Sequence, residues 1–246
     1  GIFDKMPVEY FDDDSRGGAY IAPERGPDGT ILGWHGRYDD DSGQKRTYGA
    51  SEDETLPRHG LFIPEGWQEN SDGPIMVPEG MSDTLHLYVM NLSPVGRSSN
   101  MTGAEQLAEL FKRTGVASSH RQIIIVGEND LKPDGTHPGR AGAERVAQTL
   151  ATLLGRPVHV AYPPVGYKDT RDYVTAHKAM LTDGRLTLRQ LGETYAEHMT
   201  STAQAFGDFS QAEQVSMIFG FEVIHQHFHP LSQQPITMTE TALHSD

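Results

Sequence analysis

The chain has 246 residues, with Lys+Arg 20 against Asp+Glu 34, a formal net charge of −14, and no cysteine. This length allows one large domain or two small ones, and a core that folds without staples. The composition excludes a disulfide scaffold, a cysteine-ligated zinc finger and a thiol nucleophile, no apolar run approaches the ~20 residues of a membrane span, and the acidic balance argues against a surface that wraps duplex nucleic acid.

Residues 1–73 are rich in Gly, Asp and turn signals, with short apolar pieces at Tyr20-Ile21-Ala22, Thr30 to Trp34 and Gly60 to Ile63. Asp28-Gly29 is a strong turn signal before the second piece, so this stretch reads as a small, mainly antiparallel β region. Asp39-Asp40-Asp41-Ser42-Gly43 reads as a solvated hairpin tip, with a metal loop as the alternative.

Residues 74–177 change period. Short strands are expected at Pro74 to Pro78, Pro94-Val95-Gly96, Gln122 to Val126 and Pro157 to Ala161. Between them fall helical patterns at Ser82 to Met90, Ala104 to Thr114 and Gly142 to Leu154, each with apolar residues spaced for one face. This alternation predicts an α/β unit, a parallel sheet flanked by helices. Residues 178–246 read as a helical appendage, with helices at Thr187 to Met199 and Gln211 to Phe228 and a frayed tail from Gln233. Acids outnumber bases there, which is unsuited to gripping nucleic acid.

In a parallel α/β sheet, functional groups gather beyond the carboxyl ends of the strands. Three of the predicted strands end in acids: Glu79, with Ser82-Asp83 a few residues on; Glu128-Asn129-Asp130; and Lys168-Asp169 with Arg171-Asp172. Converging carboxylates repel one another unless they hold cations, and hard oxygen ligands suit Mg²⁺ or Mn²⁺. Two such ions activate an attacking oxygen and stabilise a leaving one in phosphoryl transfer. The plainer alternative is helix capping, for which Ser82 and Asp83 are well placed.

The run Ile75-Met76-Val77-Pro78-Glu79-Gly80-Met81-Ser82-Asp83 resembles the first motif of the Toprim domain. Ile123 to Gly127 followed by Glu128-Asn129-Asp130 resembles the second, with Glu in place of the usual first Asp. Lys168-Asp169-Thr170-Arg171-Asp172 resembles the K-D-x-x-D segment of primase-like members, and Gly29 to Arg37, Lys45 and Gly60-Leu61-Phe62 resemble the segment preceding Toprim in DnaG-like and phage primases. The resemblance covers residues 74–177 well and implies three parts: a β-rich primase-like subdomain (1–73), a Toprim domain (74–177) and a helical C-terminal region (178–246).

It further implies a primase-like nucleotidyltransferase, making short RNA primers on single-stranded DNA from NTPs with two Mg²⁺ or Mn²⁺ ions. Glu79 and Lys168 are the implied catalytic residues, and Glu79, Glu128, Asp130 and Asp169 the implied metal ligands. Arg37, Lys45, Arg46, Arg97, Ser98 and Arg171 are the implied contacts to nucleotide or nucleic-acid phosphates. For Arg37, Lys45 and Arg46 the alternative is a solvated hairpin, for Gly96 to Asn100 a plain capped loop, and for Trp34 a core position is preferred to base stacking. A replicative helicase is the partner implied for the C-terminal helices, and the cytoplasm is the expected compartment. The same acids also suit a Toprim-type nuclease, or a non-catalytic binding module. The departures are Glu128, the long loop Leu131 to Pro138, and the missing cysteines of a zinc-binding template reader. The chain opens at Gly1 rather than Met, as a processed chain or a piece of a longer one would. His225-Gln226-His227-Phe228-His229 reads as a histidine-rich helix end, with an i,i+4 metal pair as the alternative.

Overall fold

The structure is a computed structural model, and it describes residues 9–13, 17–38, 45–49, 59–70 and 72–207. The expected helix at 211–228, the histidine run at 225–229 and the acidic tip at 39–43 lie outside the described residues.

Two sheets organise the described chain. The first is antiparallel: β1 (Glu9–Asp13), β2 (Gly17–Arg25), β3 (Ile31–Tyr38), β4 (Lys45–Gly49), β5 (Leu61–Phe62) and β8 (Gly96–Arg97), in the order β4-β3-β2-β5-β8, with β1 also on β2. The β2–β3 hairpin closes as the Asp28-Gly29 signal predicts. Gly29 has φ 89°, and Asp28 Oδ1 accepts the Thr30 backbone N–H at 3.0 Å. Gly60 lies against the β2 backbone so closely that a Cβ there would stand 2.7 Å from Arg25 N and O.

The second sheet is built from β6 (Ile75–Val77), β7 (Ser93–Pro94), β9 (Ile123–Val126), β10 (Val158–Ala161) and β11 (Gln204–Phe206), in the order β11-β10-β9-β6-β7. The pairs β10–β9, β9–β6 and β6–β7 are parallel, and β11 runs antiparallel on the edge. The run Ile123–Val126 is fully apolar because helices cover both faces. Ile123 and Ile125 pack with α2 (Ala104–Arg113) and α3 (Pro138–Leu154) through Leu107, Phe111, Val146 and Leu150. Ile124 and Val126 pack the other way, with α1 (Gly80–Val89), α4 (Thr170–Ala176) and α6 (Leu188–Thr202) through Leu87, Tyr173, Leu191 and Tyr195. Each of these fully buried aliphatic side chains contributes about 1.5–3 kcal/mol of transfer free energy.

Thr187 caps α6 in a reciprocal box with Gln190, its hydroxyl accepting the Gln190 N–H at 3.2 Å. The short α5 (Lys178–Thr182) joins α4 to α6.

The expected single strand Pro94-Val95-Gly96 is two. Ser93–Pro94 extends the parallel sheet against Ile75 and Met76, then the chain crosses at Val95, and Gly96–Arg97 joins the antiparallel sheet on Leu61 and Phe62. Val95 N–H still donates to Met76 O at 2.9 Å and Arg97 N–H to Pro78 O at 3.1 Å, so the crossover is held to the end of β6. That crossover brings the antiparallel sheet over the carboxyl ends of the parallel strands. Helix α3 starts a turn earlier than its apolar pattern, because Pro138 opens it and Asp130 caps it from outside. The strand β11 departs from the mostly helical expectation for residues beyond 178. It is short and mostly exposed, and so gives no apolar alternation.

Candidate active site

Asp83, Asp130, Asp169 and Asp172 each accept a backbone N–H. Glu79 is the residue before α1, in extended backbone (φ −90°, ψ 129°), and its side chain makes no cap to the helix. Asp83 lies in the first turn of α1, 6% exposed. It does not cap its own helix; its Oδ1 accepts the Arg171 backbone N–H at 3.1 Å, from the start of α4. Asp169 is the cap of α4, its Oδ1 accepting the Asp172 N–H at 2.7 Å. Asp172 in turn accepts the Lys168 N–H at 3.0 Å through Oδ2.

Asn129 ties the ends of β9 and β10 together. Its Nδ2 donates to Pro163 O at 3.0 Å and Tyr167 O at 2.9 Å, its backbone N–H donates to Lys168 O at 2.8 Å, and its Oδ1 accepts from Arg140 Nη2 at 2.8 Å. The Arg140 guanidinium is stacked 4.5 Å from the centroid of the Tyr162 ring. This clamp brings the loop carrying Lys168 and Asp169 against Glu128.

The result is a triad. Asp83, Glu128 and Asp169 each offer one oxygen, all within 4.8 Å of one another. Burial, and then the neighbouring Asp169, push the Asp83 carboxyl up to about 8. Burial works against the Lys168 ammonium, but Glu128 and Asp169 outweigh it and hold the group above its ordinary value. Lys168 Nζ stands 3.5 Å from Glu128 Oε2 and 3.7 Å from Asp169 Oδ2, and Arg171 Nη2 stands 3.6 Å from Asp169 Oδ2. A cavity of about 160 Å³ opens over these groups, with Glu79 on its wall and His35 of β3 facing it from the other sheet. The triad has the chemistry of a hard-cation site: three oxygen donors, one of which resists ionisation until a cation compensates it.

The expected ligands fare differently. Glu128 and Asp169 meet in the triad, and Glu79 lines the same cavity. Asp130 turns away: Oδ1 accepts the Gly139 N–H at 2.9 Å as the cap of α3, and Oδ2 lies 4.0 Å from Lys132 Nζ. The loop that follows is a turn closed on itself, with Lys132 N–H donating to Thr136 O and Asp134 Oδ1 accepting from the Thr136 hydroxyl at 2.7 Å. Gly139 leaves room for that cap, since a Cβ would stand 2.6 Å from Asp130 Oδ1 and the carboxylate would have to shift.

Arg97, an implied phosphate contact, is buried. It is 1% exposed, held in β8, and its Nη1 donates to Ser99 O at 2.8 Å. Burial lowers its guanidinium to about 10, against the attraction of Glu79 and Glu128, so it acts as a buried counter-charge behind the cavity. Ser98 is half-buried in the turn after β8, where Ser99 Oγ and Thr102 Oγ1 pair at 2.8 Å. Arg37, Lys45 and Arg46 are placed by their backbone in the β3–β4 hairpin, with Arg37 opposite Lys45 and Gly36 opposite Arg46. Trp34 of the same strand is half-buried.

Three residues of the site are not among the implied ligands and contacts. Asp83 was visible, four residues after Glu79, but a carboxylate in a helix's first turn has a capping explanation. Asn129 is the middle of a motif whose ends drew the attention. His35 is brought to the cavity by sheet pairing, which leaves no local signal.

No family model and no curated protein matches the chain. Solved structures do. The E. coli primase catalytic core aligns over 89% of this chain and 63% of its own, at 16% identity and a TM-score of 0.52. A DnaG catalytic core aligns over 76% and 53%, at 18% identity and a TM-score of 0.51. The primase fragment of the bacteriophage T7 primase-helicase aligns over 74% and 67%, at 22% identity and a TM-score of 0.47. The chain therefore spans a little over half to two thirds of the length of these structures. Its fold is that of a primase catalytic core. No described helix is long and apolar enough to cross a membrane.

Proposed function

We propose that this chain is a primase-type nucleotidyltransferase that joins ribonucleotides on a single-stranded DNA template. The observation that supports it is the meeting of Asp83, Glu128 and Asp169 over the strand ends of a primase-core fold. In this reading residues 74–177 are a Toprim unit, residues 1–73 face the template, and the region from 178 docks a replicative helicase.

The donor set fits Mg²⁺ or Mn²⁺, held by Asp83, Glu128 and Asp169, with Glu79 serving a second ion. Bound there, such ions neutralise phosphate charge and lower the cost of an anionic attacking oxygen. The 3′-oxygen of the growing strand attacks the α-phosphorus of an NTP. The bond from that phosphorus to the β-phosphate oxygen breaks, and pyrophosphate leaves with the electron pair. Glu79 accepts the 3′-hydroxyl proton, and Lys168 and Arg171 face the phosphates, where their charge assists departure. Arg37, Lys45 and Arg46 contact template phosphates.

The test is extension and cleavage in one gel: the chain with labelled single-stranded DNA, NTPs and Mg²⁺ or Mn²⁺, with and without an annealed primer, beside Glu79→Gln. Metal-dependent oligonucleotides lost in the variant are the expected result. Shortened DNA would assign the same acids to phosphodiester cleavage. Absence of any product on a primed template would contradict the proposal.

A further inference from the structure

Glu24 sits in β2 where the register against β3 shifts, and its carboxylate is fully buried. Its Oε2 accepts the Gly60 backbone N–H at 2.8 Å, while Oε1 has no hydrogen-bond partner among the described residues. A buried carboxylate is costly unless opposite charge or donors face it, and an apolar residue would pack the sheet without that cost. The Gly60 N–H uses one carboxylate oxygen, and the sheet offers the other no hydrogen bond.

Two imidazoles face it. Nδ1 of His35 stands 3.5 Å from Oε1, and Nδ1 of His59 stands 3.9 Å from Oε2. The His59 side chain is 62% exposed; that of His35 is 12% exposed, held edge-on to Phe62 with centroids 5.6 Å apart, and lines the acidic cavity. With Nδ1 turned towards Glu24, Nε2 is the nitrogen left for a partner in the cavity. The same cavity is lined by the three carboxylates with Lys168 and Arg171. A polyphosphate seated over those groups has their donors, and His35 supplies one more from the antiparallel sheet.

We propose that His35, held by Glu24, is a substrate-contacting residue of this cavity that meets the phosphates of a bound nucleotide, with Glu24 as its positioning residue. The nucleotide as substrate class rests on the nucleotidyl-transfer reading; the contact itself rests on the cavity.

The test is calorimetric titration of the full chain with an α,β-methylene nucleoside triphosphate in Mg²⁺, beside His35→Ala and Glu24→Gln, each checked by thermal unfolding and by Mn²⁺ titration without nucleotide. Loss of one charge-assisted contact weakens nucleotide binding by about tenfold in His35→Ala. Glu24→Gln, which still accepts from Gly60, falls between, and in turnover raises KM for NTP more than it lowers kcat. Mn²⁺ affinity stays that of the parent in both. Nucleotide affinity within twofold of the parent in His35→Ala would overturn the proposal. So would an equal loss of bare Mn²⁺ binding, or a parent chain that does not bind the nucleotide. A parent that binds the nucleotide but joins none would contradict nucleotidyl transfer while leaving the His35 contact standing.

Discussion

Asp83 Oδ1 accepts the backbone N–H of Arg171 across 88 positions of sequence, and this one hydrogen bond holds the first turn of α1 to the first turn of α4. It fixes a carboxylate whose ionisation burial and Asp169 oppose. A carboxylate kept in that state gains most from a cation.

A divalent cation should therefore stabilise the folded chain through Asp83. At a concentration about 100 times its Kd, such a ligand stabilises by about 2.7 kcal/mol, which for a chain of this size raises Tm by about 5–10 °C. Asp83→Asn, which keeps the acceptor for Arg171, should lose most of that rise while folding normally without metal. Differential scanning fluorimetry with and without Mn²⁺ measures it. An undiminished shift in the variant would remove Asp83 from the site.

Asn129 is expected to be worth more than its exposure suggests. Asn129→Leu removes two donated hydrogen bonds and the acceptor for Arg140, leaving carbonyls of the Pro163–Tyr167 loop unpaired. The expected cost is about 2–4 kcal/mol in urea unfolding. Activity should fall by about 100-fold, because displacing Asp169 by an ångström misplaces the reacting groups.

His159, in β10, is half-buried, its Nδ1 has no hydrogen-bond partner, and burial holds its protonation below the ordinary range. A lowered folded value means stability present above the unfolded value, about 6.5, and lost as pH falls through the folded one. The parent should therefore lose stability relative to His159→Gln as the pH falls below about 6.5, against the opposite trend that the raised Asp83 carboxyl gives to both chains. Chemical unfolding at pH 7.5, 6.0 and 5.0 reads it; parallel curves for the parent and the variant would contradict the assignment.

How much of this was legible follows from how local each signal was. The apolar run Ile123–Val126 announced a strand covered on both faces, and its acids announced the site end of the sheet. Arg97 misled because charge in a Gly-Arg-Ser turn looks solvated, whereas pairing with Leu61 buries it. Asp130 misled because its spacing from Glu128 suits a ligand, yet Gly139 N–H takes it as a cap. The Glu24–His35 pair exists through the β2–β3 register alone, the two residues standing eleven apart in sequence, and no helical or strand period marks it.

Gly139→Ala offers a check on the cap geometry. A Cβ would stand 2.6 Å from Asp130 Oδ1 and 3.0 Å from Glu128 Cβ, so the methyl group disturbs both the cap and a triad member. The expected result is a loss of about 1–3 kcal/mol, the usual cost of overpacking, together with weaker Mn²⁺ binding. A variant as stable as the parent would mean that α3 shifts freely at its start.

Asp83, Glu128 and Asp169 are proposed together as the ligands of one divalent cation. Crystals of the chain soaked in Mn²⁺ and measured for anomalous scattering test it most directly. The expected result is a peak within about 2.3 Å of an oxygen from each of the three carboxylates, with Lys168 displaced from Glu128. No peak there, with Lys168 still bridging Glu128 and Asp169, would contradict it.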